Sequence, residues 1–156
     1  MKKAFNQWIL PDGYDLVLGC QEGKNAGFAG IELNVELDKG PISLDKPLDE
    51  MEELAQKIAE TGLEVASFLP VNIFPNIAAD ASEKTIDLAV ERLEKLLDLC
   101  EIFDTDAILM VPGGLWENVA RYDQAFQNAK KVLKEMASIA EERDVVLAVE
   151  KVWNNI

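Results

Sequence analysis

The sequence contains no histidine among its 156 residues. That absence removes the Ser-His-Asp triad, the Cys-His pair and the HExxH zinc site, along with any imidazole base. Basic residues are scarce as well, 15 against 29 acidic ones, for a formal net charge of −14. Such a surface repels phosphate backbones and anionic membranes, and no Lys/Arg run forms a local footprint. Neither a nucleic acid nor a membrane is expected as a partner. Only two cysteines occur, Cys20 and Cys100, without CxxC or metal-site spacing, and they read as buried free thiols of a reducing, cytoplasmic setting. No apolar run approaches the ~18 residues of a membrane span, and the N-terminal stretch is too short and polar for a signal peptide. Catalysis in such a chain falls to carboxylates, with a metal that accepts oxygen ligands as their companion.

What is present is an ordinary globular composition, 49% apolar and 28% charged, enough for one compact core. Five short apolar runs, at residues 4–10, 31–36, 64–69, 107–111 and 145–150, have strand length and a turn-forming residue nearby. Longer amphipathic segments lie between them. Leu48, Met51, Leu54, Ala55 and Ile58 form one helical stripe, with Pro47 at its start and Gly62 beyond its end. Ile86, Val90, Leu93, Leu97 and Cys100 form a second, preceded by Asp80 and Glu83 at capping-box spacing, with Ser82 as the alternative cap. Phe126, Ala129, Leu133, Met136 and Ala140 form a third. Residues 14–26 make a weaker helix carrying Tyr14, Val17 and Leu18 on one face, with Gly13, Gly19 and Gly23 against it.

This βαβαβαβαβ order specifies a parallel sheet with right-handed crossovers, compatible with a doubly wound sheet or with part of a (β/α)₈ barrel. Alternation within the strands favours the barrel. Strands covered on both faces read as continuous apolar runs. Here Ile31, Leu33 and Val35 point one way while Glu32, Asn34 and Glu36 point the other, and Glu150 shares a face with Val146 and Ala148. Five strands do not close a barrel, which needs about eight. The expectation is therefore a single incomplete (β/α) barrel domain over residues 1–156, its fifth strand an apolar edge that another chain or copy buries.

Carboxylates at the C-terminal ends of parallel strands stand where a barrel places its chemistry. Glu150 leads: it ends an apolar strand, where burial raises a carboxylate's pKa unless a cation compensates, the alternative being a paired or solvated strand end. Glu32 poses the same question, and Glu36, followed by Leu37-Asp38-Lys39-Gly40, reads as solvated. Trp8, Trp116 and Trp153 fall at strand ends and would gather at one rim, walling a pocket for a polyol or packing the edge of the domain. Asn6, Ser67, Asn154 and Asn155 sit at the same rim as hydrogen-bonding groups. The paired glycines Gly113 and Gly114 of VPGGLW suit a plain turn or a ligand's close approach.

At these residues the chain resembles a known family. NAGFAGIELNVE (25–36), PGGLW (112–116) and above all LAVEKVWNN (147–155) resemble the xylose isomerase-like TIM-barrel superfamily. Within it they are most similar to the sugar phosphate isomerase/epimerase group with the tagatose and psicose 3-epimerases. The resemblance covers the whole chain but only about the first five of the family's eight strands. It implies a divalent metal (Mn²⁺, Mg²⁺ or Co²⁺) held by a glutamate ending the fifth strand, here Glu150, with an aspartate, a histidine and a second glutamate from later strands. The two glutamates would also serve as acid and base on a sugar or sugar phosphate, through an enediolate. Glu32, Ser67, Trp8, Trp116 and Asn154 would line the substrate site. The first reading is thus a metal-dependent ketose epimerase or isomerase of which this chain is the N-terminal, catalytically incomplete part. The alternative is a non-catalytic half-barrel module, stable through self-association or through a complementing C-terminal segment.

Overall fold

A computed structural model describes residues 1–114 and 121–152. Five strands alternate with four helices: β1 (Ala4–Asn6), α1 (Leu16–Asn25), β2 (Gly30–Val35), α2 (Leu48–Glu60), β3 (Glu64–Pro70), α3 (Glu83–Ile102), β4 (Ala107–Met110), α4 (Tyr122–Glu141) and β5 (Val146–Val149). All pairings are parallel and the spatial order is β1-β2-β3-β4-β5. A doubly wound sheet would reverse direction at a switch point. Here each crossover advances by one strand, and the helices pack as successive neighbours, as crossovers of one hand require. This is a partial TIM barrel.

The alternation read from the second run explains where the core sits. Ile31, Leu33 and Val35 are fully buried between the sheet and its helices, with Phe68 of β3 and Ile108 and Met110 of β4 beside them. Met51 and Ile58 of α2, Leu93 and Leu97 of α3, and Val132 and Met136 of α4 close the layer from outside. Phe68 meets Phe103 edge to face with centroids 5.5 Å apart. Arg92 of α3 donates to the Ile73 carbonyl, tying the loop after β3 to its own helix.

Local chemistry departs from expectation at several element ends. The first run stops as a strand at Asn6, because the Asn6 side chain accepts from the Trp8 amide (2.7 Å) and turns the chain into one 3-10 turn, Gln7–Ile9. Ser82, not Asp80, caps α3, accepting from the Thr85 amide, while Asp80 buttresses the cap from outside. In α1 the buried face is Leu16, Gly19, Cys20 and Gly23 rather than Tyr14, Val17 and Leu18. The reason is close approach: a Cβ at Gly23 would run into the Phe5 ring. On α4, Phe126 leaves the expected core stripe and is 48% exposed, its place taken by Ala125 and Val132.

Both cysteines are free and buried. Burial pushes the Cys20 thiol up to about 11, with Asp15 adding to it. Burial pushes Cys100 up to about 12 against the opposing pull of Arg143. Thiolate is the reactive form, so native protein should not react with a disulfide reagent at pH 8 over minutes, and both thiols should titrate once the chain unfolds in urea. A fast native reaction at either cysteine would contradict the packing of α1 or α3.

The fifth strand is an open edge. Val145 is buried, whereas Val146 and Val149 are 61% and 57% exposed, and no described segment covers them. Among the described residues, no helix is long and apolar enough to cross a membrane.

Candidate active site

The C-terminal ends of the strands open on a cleft of about 820 Å³. Asn6 borders it at the end of β1 and Trp8 beyond it, Glu32 on β2, Leu109 on β4, and Glu150 and Lys151 after β5; the β3–α3 loop, residues 71–76, forms a further wall. The helix-free face of the sheet therefore ends where its chemistry-bearing side chains project, as the strand alternation requires.

Glu32 is the most constrained carboxylate in the cleft. Asn6 Nδ2 donates to its Oε1 and Ser67 Oγ donates to its Oε2, both at 2.7 Å. Register builds this arrangement: Asn6 pairs with Glu32 across β1–β2, and Glu32 pairs with Ser67 across β2–β3. The second pairing depends on a shift between Ile31 and Glu32, since Ile31 pairs with Val65 and Glu32 then pairs with Ser67, leaving Ala66 as the additional residue. A β-bulge re-aims the side chains after it; without this one, Ala66 would stand opposite Glu32. Each carboxylate oxygen has a second lone pair, so Glu32 keeps capacity to accept from a ligand hydroxyl.

Asn6 has a double role. Its Oδ1 accepts from the Trp8 amide while its Nδ2 holds Glu32, so one amide couples the Trp8 turn to the carboxylate. Gln7 fastens the same turn to the end of β2, its Oε1 accepting from the Asn34 amide at 2.9 Å. Trp8 itself stands at the rim, 67% exposed.

Glu150 lies across the cleft. Its backbone amide donates to the Met110 carbonyl (3.0 Å), which fixes where it leaves the sheet. Its side chain is exposed, contrary to the buried strand end expected; among the described residues no strand or helix lies on the outer side of β5. Trp116, Trp153, Asn154 and Asn155 lie outside the described residues. Among the described residues, no three metal-ligating side chains converge. Glu32 and Glu150 are the two described carboxylates that border the cleft, so these residues alone do not fit a divalent cation, which takes about four to six ligands.

The glycine pair is neither a plain turn nor an open ligand loop. Asn76 of the β3–α3 loop clamps it: Nδ2 donates to the Gly114 carbonyl (2.9 Å) and Oδ1 accepts from the Gly114 amide (3.2 Å). Asn76 Oδ1 also accepts from the Ala79 amide (3.1 Å). Two loops that border the cleft are thereby joined through one side chain. Neither Asn76 nor Gln7 stands out in the sequence; Asn76 follows Pro75, a pairing with turn chemistry, and is the more findable of the two.

Comparison with known proteins agrees with this architecture. The family described as xylose isomerase-like TIM barrel matches residues 20–156. No curated protein matches the sequence. Solved structures with this fold include an apo 3-keto-D-glucoside 4-epimerase from E. coli, 16% identical, with a TM-score of 0.69 over 99% of this chain and 57% of that one. An IolI protein with a bound zinc atom is 19% identical, with a TM-score of 0.72 over 96% of this chain and 51% of that one. A D-tagatose 3-epimerase-like protein is 17% identical, with a TM-score of 0.69 over 97% and 53%. At these identities the likeness is one of fold, and the chain spans about half the length of the structures it matches.

Proposed function

The chain belongs to the xylose isomerase-like TIM-barrel family, and from that premise we propose that it carries the N-terminal part of a sugar isomerase or epimerase site. The observation that carries this reading is the cleft itself. Glu32, held by Asn6 and Ser67, stands opposite an accessible Glu150, with Trp8 at the rim. Carboxylates and amides beside an aromatic ring suit a polyol, whose hydroxyls need acceptors and whose C–H faces need an apolar surface.

In this reading Glu32 accepts a substrate hydroxyl and sets the register of the sugar. Glu150 Oε takes the proton from the carbon α to the carbonyl and can return it, passing through an enediolate. Inversion at that carbon needs a second group on the opposite face, which the described residues do not provide. The zinc in one solved relative supports metal use in the family; in this chain Glu150 would be one ligand, the others coming from outside the described residues.

The reading is tested by incubating the chain with a panel of ketoses and their phosphates and following exchange of the proton α to the carbonyl. At least one sugar should exchange. Replacing Glu32 with alanine should raise the sugar concentration for half-maximal exchange about tenfold, the effect of one hydrogen bond to a charged group. The maximal rate should change less. A drop in maximal rate alone would assign Glu32 to chemistry instead of binding, and no exchange with any sugar would dismiss the function.

A further inference from the structure

Three side-chain amides border the cleft among the described residues, those of Asn6, Asn72 and Asn76. Asn6 is committed to Glu32 and the Trp8 amide, and Asn76 to Gly114 and Ala79. Asn72 differs from both. It is exposed, and its side chain makes no hydrogen bond among the described residues.

The backbone of Asn72 is unusual as well. Its φ of +54 makes it one of three described residues other than glycine in the left-handed region. The other two, Asp104 and Asp144, lie just past helices. There the Thr105 amide donates to the Cys100 carbonyl and the Val145 amide to the Ala140 carbonyl, both at 3.0 Å, the bond that closes a last turn through a left-handed residue. Asn72 follows strand β3 and ends no helix. Asparagine tolerates this conformation where its side chain bonds to nearby backbone, and here it makes no such bond. Nor is the residue loose. On one side the Val71 amide donates to the Val35 carbonyl (2.7 Å); on the other, Ile73 is fully buried and its carbonyl accepts from Arg92. A strained residue is thus held between two fastened neighbours at the cleft wall, its amide uncommitted, and strain of this kind collects where ligands are clamped.

Strand register gives its height above Glu32. Glu32 pairs with Ser67 and Val35 with Pro70, three steps nearer the C-terminal ends, roughly 10 Å at the rise of a strand. Asn72 lies beyond Pro70, so a ligand that reaches both Glu32 and Asn72 has several carbons. We propose that Asn72 is a specificity-determining residue of the cleft, its amide donating to one hydroxyl and accepting from another at the end of a ketose remote from Glu32. The proposal rests on the sugar reading of the cleft given above. A six-carbon chain with a hydrogen bond at each end bridges the gap, and a three-carbon chain does not. Asn72 therefore selects for length, adding affinity for ketohexoses and none for a ketotriose.

The test measures binding apart from chemistry, by saturation-transfer NMR titration of the 156-residue chain with fructose, tagatose, psicose and dihydroxyacetone. At least one of the three ketohexoses should bind. Asn72→Gly removes the amide, and glycine adopts the same φ without strain, so the melting temperature should hold or rise. The Kd for that ketohexose should nevertheless rise about tenfold, the worth of two neutral hydrogen bonds. Binding of dihydroxyacetone should not change. Should the glycine variant fail to fold by circular dichroism, Asn72→Asp takes its place: it also tolerates positive φ but cannot donate, and it should show a loss confined to the ketohexose. Unchanged ketohexose affinity would make Asn72 a turn residue and overturn the proposal, as would an equal loss for both sugars or no binding of any sugar. Ketohexose binding that depends on Asn72 without proton exchange would uphold the proposal and dismiss the isomerase reading.

Discussion

Replacing Gly113 with alanine is expected to lower the unfolding free energy by about 3 kcal/mol. Two causes add. Gly113 has φ +92, in the left-handed region where an L side chain costs about 1–2 kcal/mol. Its new Cβ would also overlap Asn76 Oδ1 and stand 2.7 Å from Cγ and 3.0 Å from the Asn76 backbone. Asn76 must shift, weakening its bonds to Gly114 and Ala79, a loss of about 1–2 kcal/mol in all once water replaces them. For a chain of this length the melting temperature should fall by roughly 6–12 °C. Urea unfolding gives the energy directly, and a cycle with Asn76→Ala apportions it. Asn76→Ala alone should cost less, because φ stays with glycine. In its background Gly113→Ala should be less harmful, though not neutral, since the backbone of residue 76 still crowds the new methyl. A loss of only a few tenths of a kcal/mol for Gly113→Ala would mean that the two loops are not joined as described.

The second large effect concerns chemistry and leaves stability untouched. Glu150→Gln should slow proton exchange on the sugar by about 10²- to 10⁴-fold, the usual contribution of a positioned base. The amide keeps the size of the side chain and its capacity for hydrogen bonds but does not take up a proton. Glu150 is exposed, and among the described residues its backbone amide alone holds it to β4, so the unfolding free energy should move by about 0.5 kcal/mol or less. Rate loss without stability loss separates a proton-transfer role from a structural one. Equal losses in both would return Glu150 to the structural alternative of a paired strand end.

The sheet was legible because its signal is local. Alternation of Ile31, Leu33 and Val35 with Glu32 and Asn34 defines two faces within six residues, and the five runs in sequence order describe the five strands in spatial order. Trp8 borders the cleft beyond β1, whereas Glu32 and Ser67 lie within β2 and β3 and not at their C-terminal ends. That Asn6 and Ser67 both grip Glu32 was not legible, because it depends on a bulge that shifts β3 by one residue, a property of pairing between distant segments. Glycines 19 and 23 read as weaknesses of α1 because propensity is counted along the helix, whereas their use lies across it, where the Phe5 ring packs on Gly23. The paired glycines of residues 113–114 misled for the same reason, their partner Asn76 lying far back in the chain. Helix α4 carries apolar residues on two adjacent faces, and periodicity merged them into one stripe; only the packed sheet separates buried Ala129 and Met136 from exposed Phe126.

Solvent exchange in D₂O tests the proton-transfer site most directly. Carbon-bound deuterium should enter the sugar at the position α to the carbonyl, detected by NMR. The sugar should keep its configuration, because Glu32 is held by Asn6 and Ser67 for binding, and Glu150 returns the proton to the face it came from. Glu150→Gln should slow the incorporation by about 10²- to 10⁴-fold. Deuterium entering at an unchanged rate in that variant, or none entering in the wild-type chain with any sugar of the panel, would contradict the account.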